Sequence, residues 1–273
     1  MKQQVAFLQL TMRFHCYGYG IHLMKRVKTL AKEVYEIPIE ADVHALRVAI
    51  KKLNALVTML AFYRKDLDRH RIKKMRKLFH AAGILREWQL FDQMLSDYHP
   101  LHEAVAPCIQ KEIQLALIKY RQIYKSTRRS YFKKTGHYLQ PFYKEASTLK
   151  PEAYFIHLEE EINWTLNNEN KSPERFHELR RLLKEFKYNY TAVNELARGA
   201  IPPIQDLHFL SKSDKLLGNW HDLRVVVIQL ESLAAKDMSD DARTQLHQLK
   251  EITGKKADEI LNQIIHDMHQ LEK

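Results

Sequence analysis

The chain has 273 residues, of which 45% are hydrophobic and 28% are charged, with only seven Gly and eight Pro. This length is enough for a sizeable hydrophobic core, and the scarcity of Gly and Pro argues against a turn-rich β fold and for long helices. The net charge of +11 and the pI of about 9.4 favour an anionic partner, although a charged surface can also serve solubility alone.

Features of other classes of protein are absent from the sequence. Cys16 and Cys108 stand in no metal-type or redox-type pairing, so we expect no disulfide framework and a reducing compartment. The N-terminus has a broken apolar run, Val5–Leu10, in place of a signal peptide. No apolar run approaches the ~18 residues that span a bilayer. We therefore expect a cytoplasmic protein without a membrane partner.

Apolar residues at spacings of three and four predict helices along the first half of the chain. These are expected at Ile21–Glu36, from an N-cap at Asp42 to about Arg64, from Leu67 to Tyr98 with an interruption at Gly83, and from Pro100 to about Tyr131. Gly136–Pro141 is expected to form a loop, and Pro141–Pro151 the boundary between two halves.

The second half continues the same pattern. Helices are expected at Phe155–Leu166, from Ser172 to about Ala197, from Ile204 to Gly218, from Trp220 to Ala235 and at Asp240–Leu271, with breaks at Asn167–Ser172 and Ile201–Pro203. Ser172 is the predicted N-cap, followed by Pro173 at the first helical position. No alternating strand pattern occurs, so the predicted fold is all-α.

Two segments of the first half recur in the second. His44–Leu53 and His177–Phe186 both have a His followed by Leu at +2, Arg at +3 and Lys at +7. Ala82–Trp88 and Leu217–Leu223 both have a Gly followed four residues later by an acidic residue. The offsets are nearly equal, 133 residues for the histidines and 135 for the glycines. We predict an N-terminal extension, 1–20, and one duplicated domain, 21–271, with halves 21–145 and 150–271.

Each half carries a basic stripe on one helix face. The members are His44, Arg47 and Lys51 in the first half, and His177, Arg180 and Lys184 in the second, where Tyr188 joins them. Each His, Arg and Lys set falls within an arc of roughly 80° at helical spacing. Because like charges at this spacing destabilise a helix, such a stripe is expected where an anion neutralises it.

Further basic residues are candidates for the same ligand. Lys73, Arg76 and Lys77 share a face of the next predicted helix, Arg121, Lys125 and Arg128 form a stripe on the following one, and Lys52, Arg181 and Lys187 flank the two motifs. The segment from Ala41 to Glu145 has 21 Lys and Arg against 9 Asp and Glu, so the excess positive charge is concentrated there.

At these residues the chain resembles the CHAD family, the conserved-histidine α-helical domains. The resemblance rests on H-x-L-R-V-x-x-K-K-L at 44–53, H-E-L-R-R-x-x-K-x-x-K-Y at 177–188, and the Gly motifs at 83–88 and 216–224. It implies two helical bundles related by a pseudo-twofold axis, around a central basic cavity that binds inorganic polyphosphate without catalysis. The implied contacts are His44, Arg47, Lys51, His177, Arg180, Lys184, Lys187 and Tyr188, with weaker matches at Lys52, Lys73, Arg76 and Lys77.

Other functions remain open at this point. The same charge suits a nucleic-acid-binding protein, if aromatic residues are placed for stacking, and a scaffold without a retained ligand is a further alternative. Glu87 and Asp222 are either catalytic carboxylates or, as we expect, residues that cap a helix or hold an Arg. Because no enzyme motif and no metal-ligand spacing occurs, we expect no enzyme, no metal and no cofactor. The expected partner is inorganic polyphosphate, free or in granules.

Overall fold

The computed structural model describes residues 16–127, 129–145, 151–167, 172–196, 207–236 and 238–269. Nearly all of these residues are helical and none of them forms a strand, which confirms the predicted all-α fold. The helices are α1 (Cys16–Glu36), α2 (Glu40–Tyr63), α3 (Lys73–Leu95), α4 (His99–Ser126), α5 (Arg129–Glu145), α6 (Glu152–Asn167), α7 (Pro173–Leu196), α8 (Leu207–Ala234) and α9 (Asp240–His269), with a 3₁₀ turn at Arg69–Ile72. No helix of the described ranges is both long and apolar enough to cross a membrane.

The helices pack in an order that repeats. In the first half α1 packs on α2, α2 on α3 and α3 on α4, while in the second α6 packs on α7, α7 on α8 and α8 on α9. Between the halves α2 contacts α7, α3 contacts α8 and α4 contacts α9. Each of these contacts joins helices of the same rank, as a duplicated unit would give. The duplication itself stays a prediction, and α5 packs on α1 outside this scheme.

Apolar burial holds the two halves together. One cluster of buried side chains runs from Val27 and Leu56 in the first half to Phe186 and Trp220 in the second, and a smaller cluster joins α3, α4, α8 and α9. Burial of this surface is the main stabilising contribution to such a fold. The position of the apolar stripe on α2 and α7 therefore decides which of their side chains remain for a ligand.

Two glycines predicted to interrupt helices do not do so. α3 continues through Gly83, and α8 continues through Gly218 as a single helix where two were predicted. Glycine costs only about 1 kcal/mol in a helix interior. Burial of neighbouring apolar residues, among them Leu85 and Trp220, outweighs that cost.

The predicted loop at Gly136–Pro141 was also wrong, because these residues lie inside α5. Pro141 removes one helical hydrogen bond, yet Leu139 and Tyr143 on either side of it are fully buried, so packing retains the helix. The predicted helix running to Tyr131 ends instead at Ser126, and α5 begins at Arg129.

The predicted helix starts have different outcomes. Asp42 is not an N-cap: Ile39 occupies that position, and Asp42 lies in the first turn of α2, where its charge suits the helix dipole. Ser172 accepts a hydrogen bond from the Arg175 amide at 3.4 Å, as an N-cap does. Three predicted segments lie partly or wholly outside the described residues. These are residues 168–171 of the break at Asn167–Ser172, the break at Ile201–Pro203, and residues 146–150 of the boundary.

Candidate anion-binding site

Two cavities lie where the halves meet. The first cavity, about 450 Å³, is lined by α2, α3, α7 and the 3₁₀ turn, and the second, about 420 Å³, by α2, α3, α7 and α8. Lys51, Arg180, Lys184 and Tyr188 line both cavities. The two spaces therefore adjoin at four side chains, one from the first half and three from the second.

Positive side chains outnumber negative ones around both cavities. Lys51, Arg69, Arg76, Arg180, Arg181 and Lys184 line the first, and Arg47, Lys51, Arg86, Arg180 and Lys184 line the second. The acidic residues are Glu185 in the first cavity and Glu87 and Asp222 in the second. Clefts lined by one sign of charge concentrate ions of the opposite sign, so both spaces favour an anion.

Arg47 is fixed by α3, and Gly83 makes this possible. The Arg47 guanidinium donates a hydrogen bond from Nη1 to the Phe79 carbonyl oxygen at 3.0 Å and lies 4.4 Å from the centre of the Phe79 ring. A Cβ atom at position 83 would overlap Arg47 Nη1. The missing side chain of Gly83 is therefore what allows the guanidinium to lie across α3 and into the second cavity.

Arg180 is the matching residue of the second half. A Cβ atom at position 218 would lie 4.0 Å from Arg180 Nη2, so this guanidinium runs beside Gly218 with more space. Its Nε is buried and has no hydrogen-bond partner among the described residues. A buried donor without a partner is costly, and a ligand oxygen would relieve that cost.

Lys51 lies at the junction of the cavities, where its surroundings disfavour the charged form of its amine. Burial, and then the charges of Arg47, Arg180 and Lys184, lower the pKa of Lys51 to about 7, against a smaller opposing effect of Asp214. An ordinary lysine titrates near 10.4. Burial is the larger cause of this low pKa, and the three neighbouring positive charges add to it.

The histidines of the site respond to the same field. Burial lowers the pKa of His44 and of His177, and the neighbouring arginines lower it further. Burial and then Arg180 lower the pKa of His221 to about 4. His177 packs its ring against Trp220 and His221, with ring centres 5.0 and 5.3 Å apart. At neutral pH these histidines are therefore uncharged donors and acceptors.

The acidic residues of the second cavity are not helix caps, because Glu87 lies inside α3 and Asp222 inside α8. Burial raises the pKa of Glu87, partly offset by Arg47, and burial raises the pKa of Asp222, partly offset by Arg180. Each carboxyl is thus near the arginine of its own half. Of the two roles expected for Glu87 and Asp222, capping a helix or holding an arginine, the second fits these positions.

Asp214 on α8 fixes two lysines of α7. Its carboxylate contacts Lys184 Nζ at 2.7 Å and Lys187 Nζ at 3.3 Å, and despite its burial the lysines hold the pKa of Asp214 below its usual value. This contact holds the Lys184 side chain at the junction of the cavities. The sequence repeat does not predict a role for Asp214, since the matching position of the first half carries Phe79.

The predicted site residues divide into two groups. Those that line a cavity are His44, Arg47, Lys51, Arg76, His177, Arg180, Arg181, Lys184 and Tyr188. Those that line neither cavity are Lys52, Lys73, Lys77, Arg121, Lys125 and Lys187. Arg128 lies outside the described residues. The structure brings together the two basic stripes and leaves most of the flanking candidates outside.

Several of these residues are engaged elsewhere. Arg121 donates from Nε to the Tyr35 carbonyl at 3.1 Å, at the end of α1. Arg181 lines the first cavity but is held by Glu178 and Glu185, with its Nη1 2.9 Å from Glu185 Oε2. The ion pairs of Arg181 leave less positive charge in the first cavity than the sequence alone suggests.

Arg86 is a lining residue that the sequence analysis missed. It reaches the second cavity and is bound to Glu40 at 2.9 Å. Arg86 lies three residues after Gly83, as His221 does after Gly218, so a residue-by-residue comparison of the two repeats could have found it. Within the described ranges, no three His, Cys, Asp or Glu side chains come together to hold a metal ion.

Comparison with known proteins places this arrangement in a family. The profile of the CHAD domain matches residues 23–231. The chain belongs to the CHAD domain family. This CHAD domain has the fold of the crystal structure of the CHAD domain from the plant Ricinus communis, with a TM-score of 0.69 and 15% identity over 95% of this chain and 92% of that chain.

A second solved structure has the same fold. PptA from Streptomyces chartreusis matches the CHAD domain described here with a TM-score of 0.65 and 13% identity, over 95% of this chain and 99% of that chain. At such identities the likeness concerns the fold alone. None of the curated proteins matches this chain.

Proposed function

We propose that this CHAD domain binds inorganic polyphosphate, without chemical conversion, in the two adjoining cavities. The observation that carries the proposal is the junction at Lys51, Arg180 and Lys184, where positive side chains from both halves line two adjoining cavities. The lowered pKa of Lys51 is consistent with it, because burial and then the charges of Arg47, Arg180 and Lys184 disfavour the charged amine, and a bound anion would offset both effects.

The side chains of the site suit phosphate oxygens. Arg47 and Arg180 offer planar guanidinium groups that can bind two oxygens at once, and Lys184, held in place by Asp214, offers a further positive group. The neutral His44 and His177 can donate a further hydrogen bond. A flexible phosphate polymer can reach the positive side chains of both adjoining cavities at once, which favours it over a single phosphate ion.

The side chains that line the cavities suit a nucleic acid less well than they suit polyphosphate. Single strands depend on stacking of bases against aromatic rings, and Phe79 in the first cavity is already covered by the Arg47 guanidinium. Tyr188 is the remaining aromatic residue at the junction. We therefore take a nucleic acid as a competitor to be tested.

The test is calorimetric titration of the protein with medium-chain polyphosphate at low salt. Replacing Lys51 and Arg180 together by Gln should weaken binding about a hundredfold, because each charge-assisted contact contributes about 1.5–3 kcal/mol. The matched control replaces Lys255 and Lys256, two exposed lysines of α9, and should bind as the unmodified protein does. Equal affinity of the junction variant, with intact helical circular dichroism, would contradict the proposal.

Two further measurements, a competition with RNA and a determination of chain length, complete the test. Single-stranded RNA added at equal phosphate concentration should displace little polyphosphate, and complete displacement would favour a nucleic-acid-binding function. Polyphosphate recovered after incubation should keep its chain length. Release of orthophosphate by the unmodified protein, but not by the junction variant, would show that the domain is an enzyme.

A further inference from the structure

A third cavity lies away from the junction, between α1 and α5. It has a volume of about 600 Å³ and is lined on the α1 side by Ile21, Met24, Lys25 and Lys28 and on the α5 side by Phe132, Lys133, Gly136 and His137. The two helices approach closely at Gly20, where a Cβ would overlap the ring of Tyr143. Beside Gly136, a Cβ would meet only Met24 Cε, at 3.8 Å, so there is more room around this glycine. The cavity is here called the α1/α5 groove.

The α1/α5 groove is positive and has no counter-charge along its length. Lys25, Lys28, Lys133 and His137 line it, all four are exposed, and no acidic side chain of the described residues lines it. Residues 16–32 contain four Lys and Arg, residues 129–144 contain four more, and neither segment contains an Asp or Glu. The lysines that line the groove from two neighbouring helices concentrate positive charge there, which favours a bound polyanion.

The 3₁₀ turn connects this groove with the first cavity. Arg69 of the turn lines the first cavity. The carbonyl of Arg71, two residues on, accepts a hydrogen bond from Tyr131 Oη of α5 at 2.7 Å, and its guanidinium lies 5.0 Å from the ring of Tyr138. The turn is thus in direct contact with α5, and its acidic residue Asp68 is already paired with Arg71 at 3.6 Å.

Lys134 completes the connection across α5. At helical spacing, residues three and four apart share a face, so Lys134 lies on the face of Tyr131 and Tyr138 that meets the 3₁₀ turn. Lys133 and His137 lie on the adjoining face, in the α1/α5 groove. Basic residues therefore follow one another from the first cavity, across the turn and round α5, to the groove.

We propose that the α1/α5 groove is a second binding site for polyphosphate, occupied by the part of a long chain that extends beyond the first cavity. The proposal rests on the proposed function, since the same ligand must occupy the cavities at the junction. A chain short enough to be held at the junction has no contact with the groove, whereas a long chain gains additional ion pairs there. The affinity should accordingly depend on chain length.

The experiment compares tripolyphosphate with long-chain polyphosphate on two triple variants. The groove variant replaces Lys25, Lys28 and Lys133 by Gln, and the control replaces the exposed Lys111, Lys255 and Lys256, which line none of the three cavities. The groove variant should bind tripolyphosphate as the unmodified protein does and long chains about tenfold more weakly at low salt. Its slope of log affinity against log salt should be shallower by about 2, from about 0.7 per lost contact on a flexible strand.

The possible outcomes separate the two proposals. Unchanged affinity of the groove variant for long chains, or an equal loss in the control, would overturn the groove proposal and leave the junction intact. If neither ligand binds the unmodified protein, the proposed function fails and the groove proposal with it. If single-stranded RNA loses affinity in the groove variant while long-chain polyphosphate does not, the groove is a nucleic-acid surface and the proposal is wrong.

Discussion

Lys51 illustrates how a protein can hold a ligand-binding amine in a protonation state that a bound anion would change. Its pKa of about 7 follows from burial and from the nearby charges of Arg47, Arg180 and Lys184. The pKa in the unfolded chain is higher, so between about pH 7 and about 10 the unfolded state binds more protons. The stability of the free protein should therefore rise with pH through that window. Below about pH 7 Lys51 is charged in both states, and burial of its charge lowers the stability of the folded protein by a constant amount.

Binding of a polyanion should reverse this effect and draw a proton onto Lys51. At about pH 8 the free amine is mostly neutral and the bound one charged, so nearly one proton is taken up, and below about pH 6 this uptake vanishes because both forms are charged. Titration calorimetry in two buffers of different ionisation enthalpy measures the uptake. Lys51→Arg keeps its charge and should show no such uptake at pH 8. Equal uptake in that variant would assign the proton to another group.

The histidines extend the proton uptake to lower pH. Burial lowers the pKa of His44, His177 and His221, so a bound anion would raise each towards or above its ordinary value near 6.5. Their uptake is expected mainly at acidic pH, whereas that of Lys51 is expected above about pH 7. The two windows can thus be separated in one pH series.

At the scale of the helices, the two glycines give a matched comparison. Gly83→Ala places a methyl group on Arg47 Nη1, which must leave the Phe79 carbonyl, whereas Gly218→Ala leaves 4.0 Å to Arg180 Nη2. Replacing a helix-interior glycine by Ala gains about 1 kcal/mol. Gly218→Ala should therefore be more stable by about that amount, while Gly83→Ala loses a similar amount through the displaced hydrogen bond.

Urea unfolding and polyphosphate titration together check this comparison. Gly83→Ala should gain no stability and bind more weakly, since its guanidinium no longer points into the second cavity. Gly218→Ala should bind as the unmodified protein does. Equal behaviour of the two variants would show that the close approach of Arg47 to α3 is unimportant for binding.

The helices themselves were largely predictable, and the errors have a common cause. Apolar spacing follows the helix period wherever one face is buried, so most elements could be read from the sequence. Gly218 and Gly136–Pro141 were read as breaks because local propensity disfavours a helix there. Tertiary burial of neighbours such as Trp220 and Tyr143 overrides that propensity and is not visible in a single sequence.

The candidate site was predictable only in part, for a related reason. The stripe of Arg47 and Lys51 follows from spacing along one helix, and its match at Arg180 and Lys184 from the repeat. Lys73 and Lys77 share a helix face with Arg76, but of these three residues only Arg76 lines a cavity, and Lys73 and Lys77 are exposed. Spacing shows which residues lie together on a helix and does not show which face meets another helix.

At the scale of the whole molecule, the charge of +11 makes stability and binding respond to salt in opposite directions. In the free protein the positive side chains around the cavities repel one another, and salt screens that repulsion, with a Debye length of about 10 Å at 0.1 M. In the complex the same screening and the loss of counterion release weaken the attraction of the ligand.

Raising the salt from about 0.02 M to about 0.3 M should therefore increase the thermal midpoint of the free protein while the affinity for polyphosphate falls. Relief of about 1 kcal/mol of repulsion corresponds to roughly 2–4 °C for a domain of this size. The variant with Gln at positions 51 and 180 has less repulsion to relieve, so its midpoint should start higher and rise less. Two outcomes would contradict this prediction: a thermal midpoint of the unmodified protein that does not change with salt, or an equal rise in the variant. Either would show that the charges at the junction repel one another too weakly to favour a bound anion.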